Sequence, residues 1–584
     1  MSKLQPISWK MSLLVLTSCL FMASAAWGQG ACPAGLPVTG NNCYFIAANG
    51  SDSNSGTSES TPWLHAPGMP NCSGACAAVA PSAGKGFILR GGDTWHFGNS
   101  SASPYTGGTW NIGNWAGGTC DYEGTTSGCI YWGVDKTWYS GSGWARPILN
   151  GDNPTSTSLV GSCTYQVGSN NNAVQIFNGE YFDGFEMTGF CSSRNPASTI
   201  PGQDLWISYG GTGNIFETNL YIHGWTATTT AGTSNSTIPC TLLGGSTQST
   251  AQQFLVGNVI DGSDSNAGAC AWGTFPMFTH VKDNVIRYTT QGVGQGCHDI
   301  HDNIFEYISN PNLPTHGNIL ECNGDASGST PNVFYNNVMR HINPNFFSSG
   351  QVGWWFCPDT APEYWFNNLV YDTGGRGDGD LWAYAGPNTY SCPNTGGQFM
   401  FNNTLVDALQ VCNPSTVSHG GQYLSVYNEH LINTTFQGGG STNCTGISDA
   451  SNIAMTDATA TTQGYTTSSG AINSGYMNCS NESTSPCKPT AGSGSTVTAA
   501  LNEIAYCTRL AGYTGETAIA TDAANACRYG TTDGCAYSSS THTMTCPAQT
   551  PAARPSTGAW DAGAYQFSST GTLGVPQGLT GVLK

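Results

Sequence analysis

Two neighbouring segments, HVKDNVIRY (residues 280–288) and DIHDNIFEY (299–307), decide how this chain is read. In each, an apolar centre is followed by Asp-Asn, then by an apolar pair and a charged residue. The pattern recurs in both directions, as IFETNLYIHG (215–224), FLVGNVIDG (254–262), VFYNNVMRH (333–341), YWFNNLVYD (364–372) and FMFNNTLVD (399–407). YFDGFEMTG (181–189) and SVYNEHLIN (425–433) are weaker copies at either end. Aligned on the second polar residue (Asn219, Asn258, Asn284, Asn303, Asn337, Asn368 and Asn403), the steps are 39, 26, 19, 34, 31 and 35 residues. Uneven steps are expected where loops vary on the rim of a solenoid. The shortest step is close to one three-sided coil. It is too short for a propeller blade, which repeats every ~40–45 residues.

The residue types fit a stacked coil. Asn tolerates the left-handed backbone of a tight corner. Stacked Asn side chains can bond from coil to coil. The flanking Phe, Val, Ile and Leu fill the interior. On these motifs the chain resembles the right-handed parallel β-helix (pectate-lyase-like) superfamily, in its secreted bacterial type. The run Tyr44–Thr57 (YFIAANGSDSNSGT) resembles the opening strand and turn of such proteins. Arg554–Tyr565 (RPSTGAWDAGAY) resembles the motif that often closes them. The resemblance implies an all-β fold, a right-handed parallel β-helix solenoid with disulfide-stapled terminal regions. It covers roughly 43–567 and does not fix an activity, since this fold hosts many chemistries.

Composition agrees. Only 9% of the 584 residues are charged, and Gly (77), Ser, Thr and Asn dominate the polar composition; these are poor helix formers, so the chain reads as strand and turn. The net charge of −19 argues against nucleic acid or an anionic membrane as partner. Lys3 and Lys10, the apolar run Met11–Met22 and the small residues at 23–26 read as an export signal. Leu16–Cys19 is an alternative lipid-attachment motif. A secreted or periplasmic monomer without a membrane span is expected. Of the 23 Cys, Cys32/Cys43, Cys72/Cys76, Cys120/Cys129, Cys479/Cys487 and Cys535/Cys546 sit close enough to pair as disulfides. The organisation expected is a signal peptide over 1–26 and an N-terminal cap with early coils and Trp-rich loops over 27–180. A β-helix core follows over 181–440, last coils and a Cys-rich cap with one short helix near Ala499–Ala511 over 441–567, and a flexible tail over 568–584.

Stacking turns the alignment into a surface. Equivalent positions lie ~4.8 Å apart, and side chains alternate in and out. Phe216, Leu255, Val281, Ile300, Phe334, Trp365 and Met400 form the inward column. The flanking columns then face outward and bring together His280, Lys282, Asp299, His301 and Tyr335, continued by Tyr364, Phe366, Phe399 and Phe401. Proton-transfer groups beside an aromatic strip suit a polysaccharide. Lys282, His301, His280 and Arg287 are the candidate catalytic residues. Tyr335, His316, Glu321, Tyr364, Phe366, Trp354 and Trp355 are candidates for substrate binding. Asp299 and the Gly-rich loop with Asp372, Asp378 and Asp380 are candidate ligands for calcium, which favours oxygen-rich flexible loops. Beyond the corner, Asp261, Arg287, Glu306, Arg340 and Tyr371 form either a cross-strand charge ladder or a groove wall for an anionic sugar.

Three functions remain open at this point. A lyase would cleave a uronic-acid-containing polymer by β-elimination, using the basic groups. A glycoside hydrolase would need paired carboxylates, Asp378 with Asp380 or Asp299 with Glu321. A non-catalytic carbohydrate-binding or cell-surface protein would use the Trp residues as platforms.

Overall fold

The computed structural model describes residues 30–112, 120, 128–167, 173–177, 179–192, 203–209, 214–228, 240–244, 253–265, 280–289, 292–294, 298–308, 319–323, 329–341, 353–356, 361–371, 397–406, 424–434, 448–465, 488–489, 492–531, 536–545 and 551–567.

The chain is a right-handed parallel β-helix. Among the described residues, thirteen strands from Cys43–Ile46 to Ser448–Ala450 stack into one parallel sheet. Twelve more, from Thr94–His96 to Ile453–Met455, form a second. A third side carries Trp110–Ile112, Val174–Phe177, Gln203–Tyr209 and Cys240–Gly244, then Val293–Gly294, Leu320–Asn323 and Gly353–Phe356. The solenoid therefore already runs from Cys43, well before the first Asn-bearing coil.

The expected stacking order holds in the middle coils: His280 pairs with Asp299, Val281 with Ile300 and Lys282 with His301. Leu255, Val281, Ile300, Phe334, Trp365, Met400 and Val426 fill one continuous interior. One coil departs from the alignment. Glu217 pairs with Leu255 and Phe216 with Phe254, so Phe216 faces outward and Glu217 inward. The reason is the corner. Each corner uses two residues with different tasks. The first takes the left-handed backbone, as do Asn219, Gly257, Asp283, Asp302, Asn336, Asn367, Asn402 and Asn428. The second turns its side chain inward. Asn219 is thus the first residue of its corner, and Leu220 occupies the second place.

That second place forms a buried amide ladder. Nδ2 of Asn258, Asn284, Asn303, Asn337 and Asn368 each donates to Oδ1 of the next Asn, at 2.9–3.1 Å. The same amides also donate to carbonyls of the coil behind, as Asn303 does to Val281 at 2.7 Å. Asn403 ends the run on Glu429 Oε1 at 3.0 Å. Each buried amide thereby finds partners, which the dry interior demands.

Disulfides join Cys32–Cys43, Cys72–Cys76 and Cys120–Cys129, as their spacing suggested, and also Cys163–Cys191 and Cys507–Cys527. The pairs Cys479/Cys487 and Cys535/Cys546 lie outside the described residues. Among the described residues no helix is long and apolar enough to cross a membrane.

After the last coil the chain turns back along the solenoid. The helices Ile504–Leu510 and Thr517–Cys527 pack on the outer face of the first sheet, against Val333, Tyr335, Tyr364, Phe366 and Phe401. The hairpin Ala536–Ser538/Thr543–Thr545 reaches the second sheet, where Tyr537 donates to Asp261 at 2.7 Å. Arg554 is buried and donates to Asn367 at 2.8 Å.

Candidate active site

The outer face of the first sheet carries two covers. The Cys120–Cys129 disulfide lies over Phe216 and Phe254, and the helical pair lies over Val333 and the strip beyond it. Between them stand His280, Lys282, Asp299 and His301.

Asp299 is fully buried and serves both imidazoles. Its Oδ2 lies 3.5 Å from His280 Nδ1 and 3.7 Å from His301 Nε2. His301 Nδ1 donates to Asp302 at 2.6 Å. Burial would discharge His301, but Asp299 and Asp302 outweigh it and hold its pKa up at about 9. Burial also opposes charge on Asp299, yet His301 and His280 bring it down to about 2. At neutral pH the centre is an imidazolium–carboxylate pair. Burial, then the charge of Asp302, pushes Asp283 up to about 6. His298 falls to about 4 through burial and the neighbouring His280.

Asp283, Asp302 and His298 were not singled out from the sequence. A signal existed. The corners at 283 and 302 read Asp-Asn, whereas those at 336, 367 and 402 read Asn-Asn. Treating Asp and Asn as equivalent corner residues hid the difference.

Several expectations need correction. Tyr364 and Phe366 are buried beneath the helices, so they offer no open sugar platform. Tyr335 is buried too, with its ring 4.5 Å from His301 and 5.0 Å from Phe366, both stacked. Rings stacked along the solenoid axis cover each other's faces, which a sugar would need. Arg287 lies past the corner on the second sheet. It pairs there with Glu306 at 2.9 Å and Asp261 at 3.4 Å, and Arg340 joins Glu306 at 2.8 Å. That column is a charge ladder, and it separates Arg287 from Lys282 and His301. Glu321, Trp354 and Trp355 belong to strands of the third side, so they do not join the cluster either. Asp299 is committed to two histidines, and among the described residues no three His, Cys, Asp or Glu side chains converge as metal ligands. His316, Asp372, Asp378 and Asp380 lie outside the described residues.

The class that the stacked sheets define is the parallel β-helix. No family model matches the chain, and no curated protein matches it. Among solved structures it is similar to a pectate lyase (14% identity, TM-score 0.31, 91% of this chain and 98% of that one). It is similar also to a rhamnogalacturonan lyase (13%, 0.29, 70% and 87%) and to a lacto-N-biosidase from Eubacterium ramulus (12%, 0.33, 71% and 67%).

Proposed function

We propose that this is an exported polysaccharide-acting protein, and that it cleaves a uronic-acid-containing polymer by β-elimination. One observation carries the reading: a buried imidazolium–carboxylate centre, His301 with Asp299, stands beside the half-buried Lys282 on an outward face. In the elimination a base removes the proton on the carbon bearing the carboxylate, and the electron pair forms the double bond as the glycosidic oxygen leaves. Lys282 takes that proton. His301, held cationic between Asp299 and Asp302, supplies the positive charge nearest to Lys282, and it acts through its field rather than by contact with the sugar. Asp299 and Asp302 keep His301 charged and oriented. Calcium enters this reading only through the loop Asp372–Asp380, and no step depends on it.

The test is to incubate the protein with a panel of uronic-acid polymers, with and without calcium, and to follow the ultraviolet absorbance of the 4,5-unsaturated product. Lys282→Ala should abolish it. Because enzyme and polymer are both anionic, raising the ionic strength should speed their encounter. Polymer binding without any cleavage would sink the enzyme reading and leave a binding protein.

A second reading rests on Asp283 and Asp302. They occupy successive corners one coil apart, ~4.8 Å in the backbone. Their surroundings differ: Asp283 rises to about 6, while Asp302 is bonded to the cationic His301. Two neighbouring carboxyls, one of them raised towards the pH range where it can hold a proton, suit glycoside hydrolysis. New reducing ends without ultraviolet absorbance, lost in Asp283→Asn, would favour it.

A further inference from the structure

The C-terminal helices do more than cover the aromatic strip: their turn reaches the coil next to that of Asp299. Gly515 N donates to Ser329 O at 2.8 Å. A Cβ on Gly515 would stand 2.2 Å from Thr330 Oγ1, so glycine alone allows this approach. Thr330 leads into the strand Asn332–Tyr335, whose Val333 pairs with Asp299. The turn is held from several directions. Tyr513 and Tyr364 share a hydroxyl bond of 3.0 Å, the Arg509 guanidinium lies 4.6 Å over Phe399, and Cys507–Cys527 ties the two helices together.

Glu516 follows directly. Its φ of 46° is left-handed, unusual for a side chain of this size. Such conformations persist where the surroundings over-determine them, and they concentrate at working sites. Glu516 stands at the N-cap of Thr517–Cys527, yet its side chain makes no cap bond to that helix. A residue present only to cap would turn its oxygen back onto the helix amides.

We propose that Glu516 is a positioning residue of the site, delivered by the C-terminal segment to fix the His280–Asp299 arm. The carboxyl is pushed upward by burial, with His280 opposing and Asp299 adding to the rise. The site is then assembled from two parts of the chain, and it works only while the returning segment is docked. This rests on reading the His280–His301 cluster as the working centre.

The experiment compares full-length wild type with Glu516→Gln and Glu516→Asp. The imidazole nitrogen shifts of His280 are followed by NMR across pH, and the melting temperature is measured alongside. Glu516→Gln should change the His280 titration curve while the melting temperature stays close to wild type. Glu516→Asp should restore part of the original curve. Identical His280 curves in all three proteins overturn the proposal, whatever the enzyme does. On a cleaved polymer, Glu516→Gln should lower kcat about tenfold to a hundredfold with KM little changed, the cost of a mispositioned group. An unchanged kcat and pH profile also overturn it. A wild type inactive on every polymer removes the lyase reading instead, and the NMR comparison still decides the role of Glu516.

Discussion

The same corner position does different work in two regions of the solenoid. In the C-terminal coils it is Asn, and its amide grips the returning segment. Asn367 donates to Tyr529 O at 2.9 Å and accepts from Arg554. Asn402 donates to Asp561 O at 2.8 Å, and Asn428 both donates to and accepts from Leu501. In the middle coils the position is Asp283 and Asp302; there Asp302 accepts from His301, and Asp283 lies near enough to be raised by the charge of Asp302 and lowered by that of His301. The backbone demand is identical, a left-handed φ near 57–60°. What differs is the partner. A chain of carbonyls needs a donor, which Asn supplies and carboxylate cannot. A buried imidazolium needs an anion.

The largest expected effect comes from removing what holds the returning segment. The Arg554 guanidinium is buried against Asn367, Tyr529 O, Gly563 O and Ala564 O. Arg554→Ala should cost about 3–5 kcal/mol in denaturant unfolding, since several buried acceptors lose their donor at once. It should also lower activity, because Glu516 loses its support. A variant as stable as wild type would mean that the segment is held elsewhere. Next is the direct exchange. Asn402→Asp sets a carboxylate against two carbonyls and should cost about 1–3 kcal/mol. Asp302→Asn in the middle coils takes a carboxylate from the buried His301, so it should impair turnover and cost stability that fades as pH rises through about 9, whereas the loss in Asn402→Asp should not fade there. Stability losses with the same pH dependence in the two variants would erase the distinction between the regions.

The sequence showed the coil, its stacking order and the outward face of His280 to His301, because all three follow from one repeated backbone unit. It did not separate the corner's two residues, since Asn serves both tasks. The coil at 219, with Leu220 in the ladder place, therefore slipped by one. Nor did it show that Tyr364 and Phe366 are covered. Their cover comes from far along the chain, much as Tyr537 meets Asp261 across 276 residues, and nothing local to YWFNN announces it. Arg287 was placed correctly beyond the corner, in the column that forms the charge ladder; its grouping with Lys282 as a catalytic residue fails because the corner sends it to another sheet.

The ladder offers a pH test of the region beyond the site. Glu429 stands where the other coils have Asn, and burial pushes its carboxyl well above the usual range, with the Asn403 bonds opposing. A raised folded value means that its stability contribution is full below the unfolded pKa, about 4.3, and is lost as pH rises towards the folded value. Glu429→Gln should remove that slope, at most about 1.4 kcal/mol per pH unit. Urea midpoints measured from pH 4 to 8 should diverge steadily, with the variant the more stable at the alkaline end. Parallel curves would show that the carboxyl is ionised in the folded chain.

The smallest expected effect falls on the covered strip and separates its two readings most cleanly. If Tyr364 were a sugar platform, Tyr364→Phe would keep the ring and leave stability alone, and any change would fall on substrate binding. As a covered residue it loses the 3.0 Å bond to Tyr513. The variant should then unfold about 0.5–1.5 kcal/mol more easily, the usual worth of one such bond, with KM unchanged. A raised KM at full stability would put the strip back in contact with substrate, and with it the helices would have to lift from the first sheet during turnover.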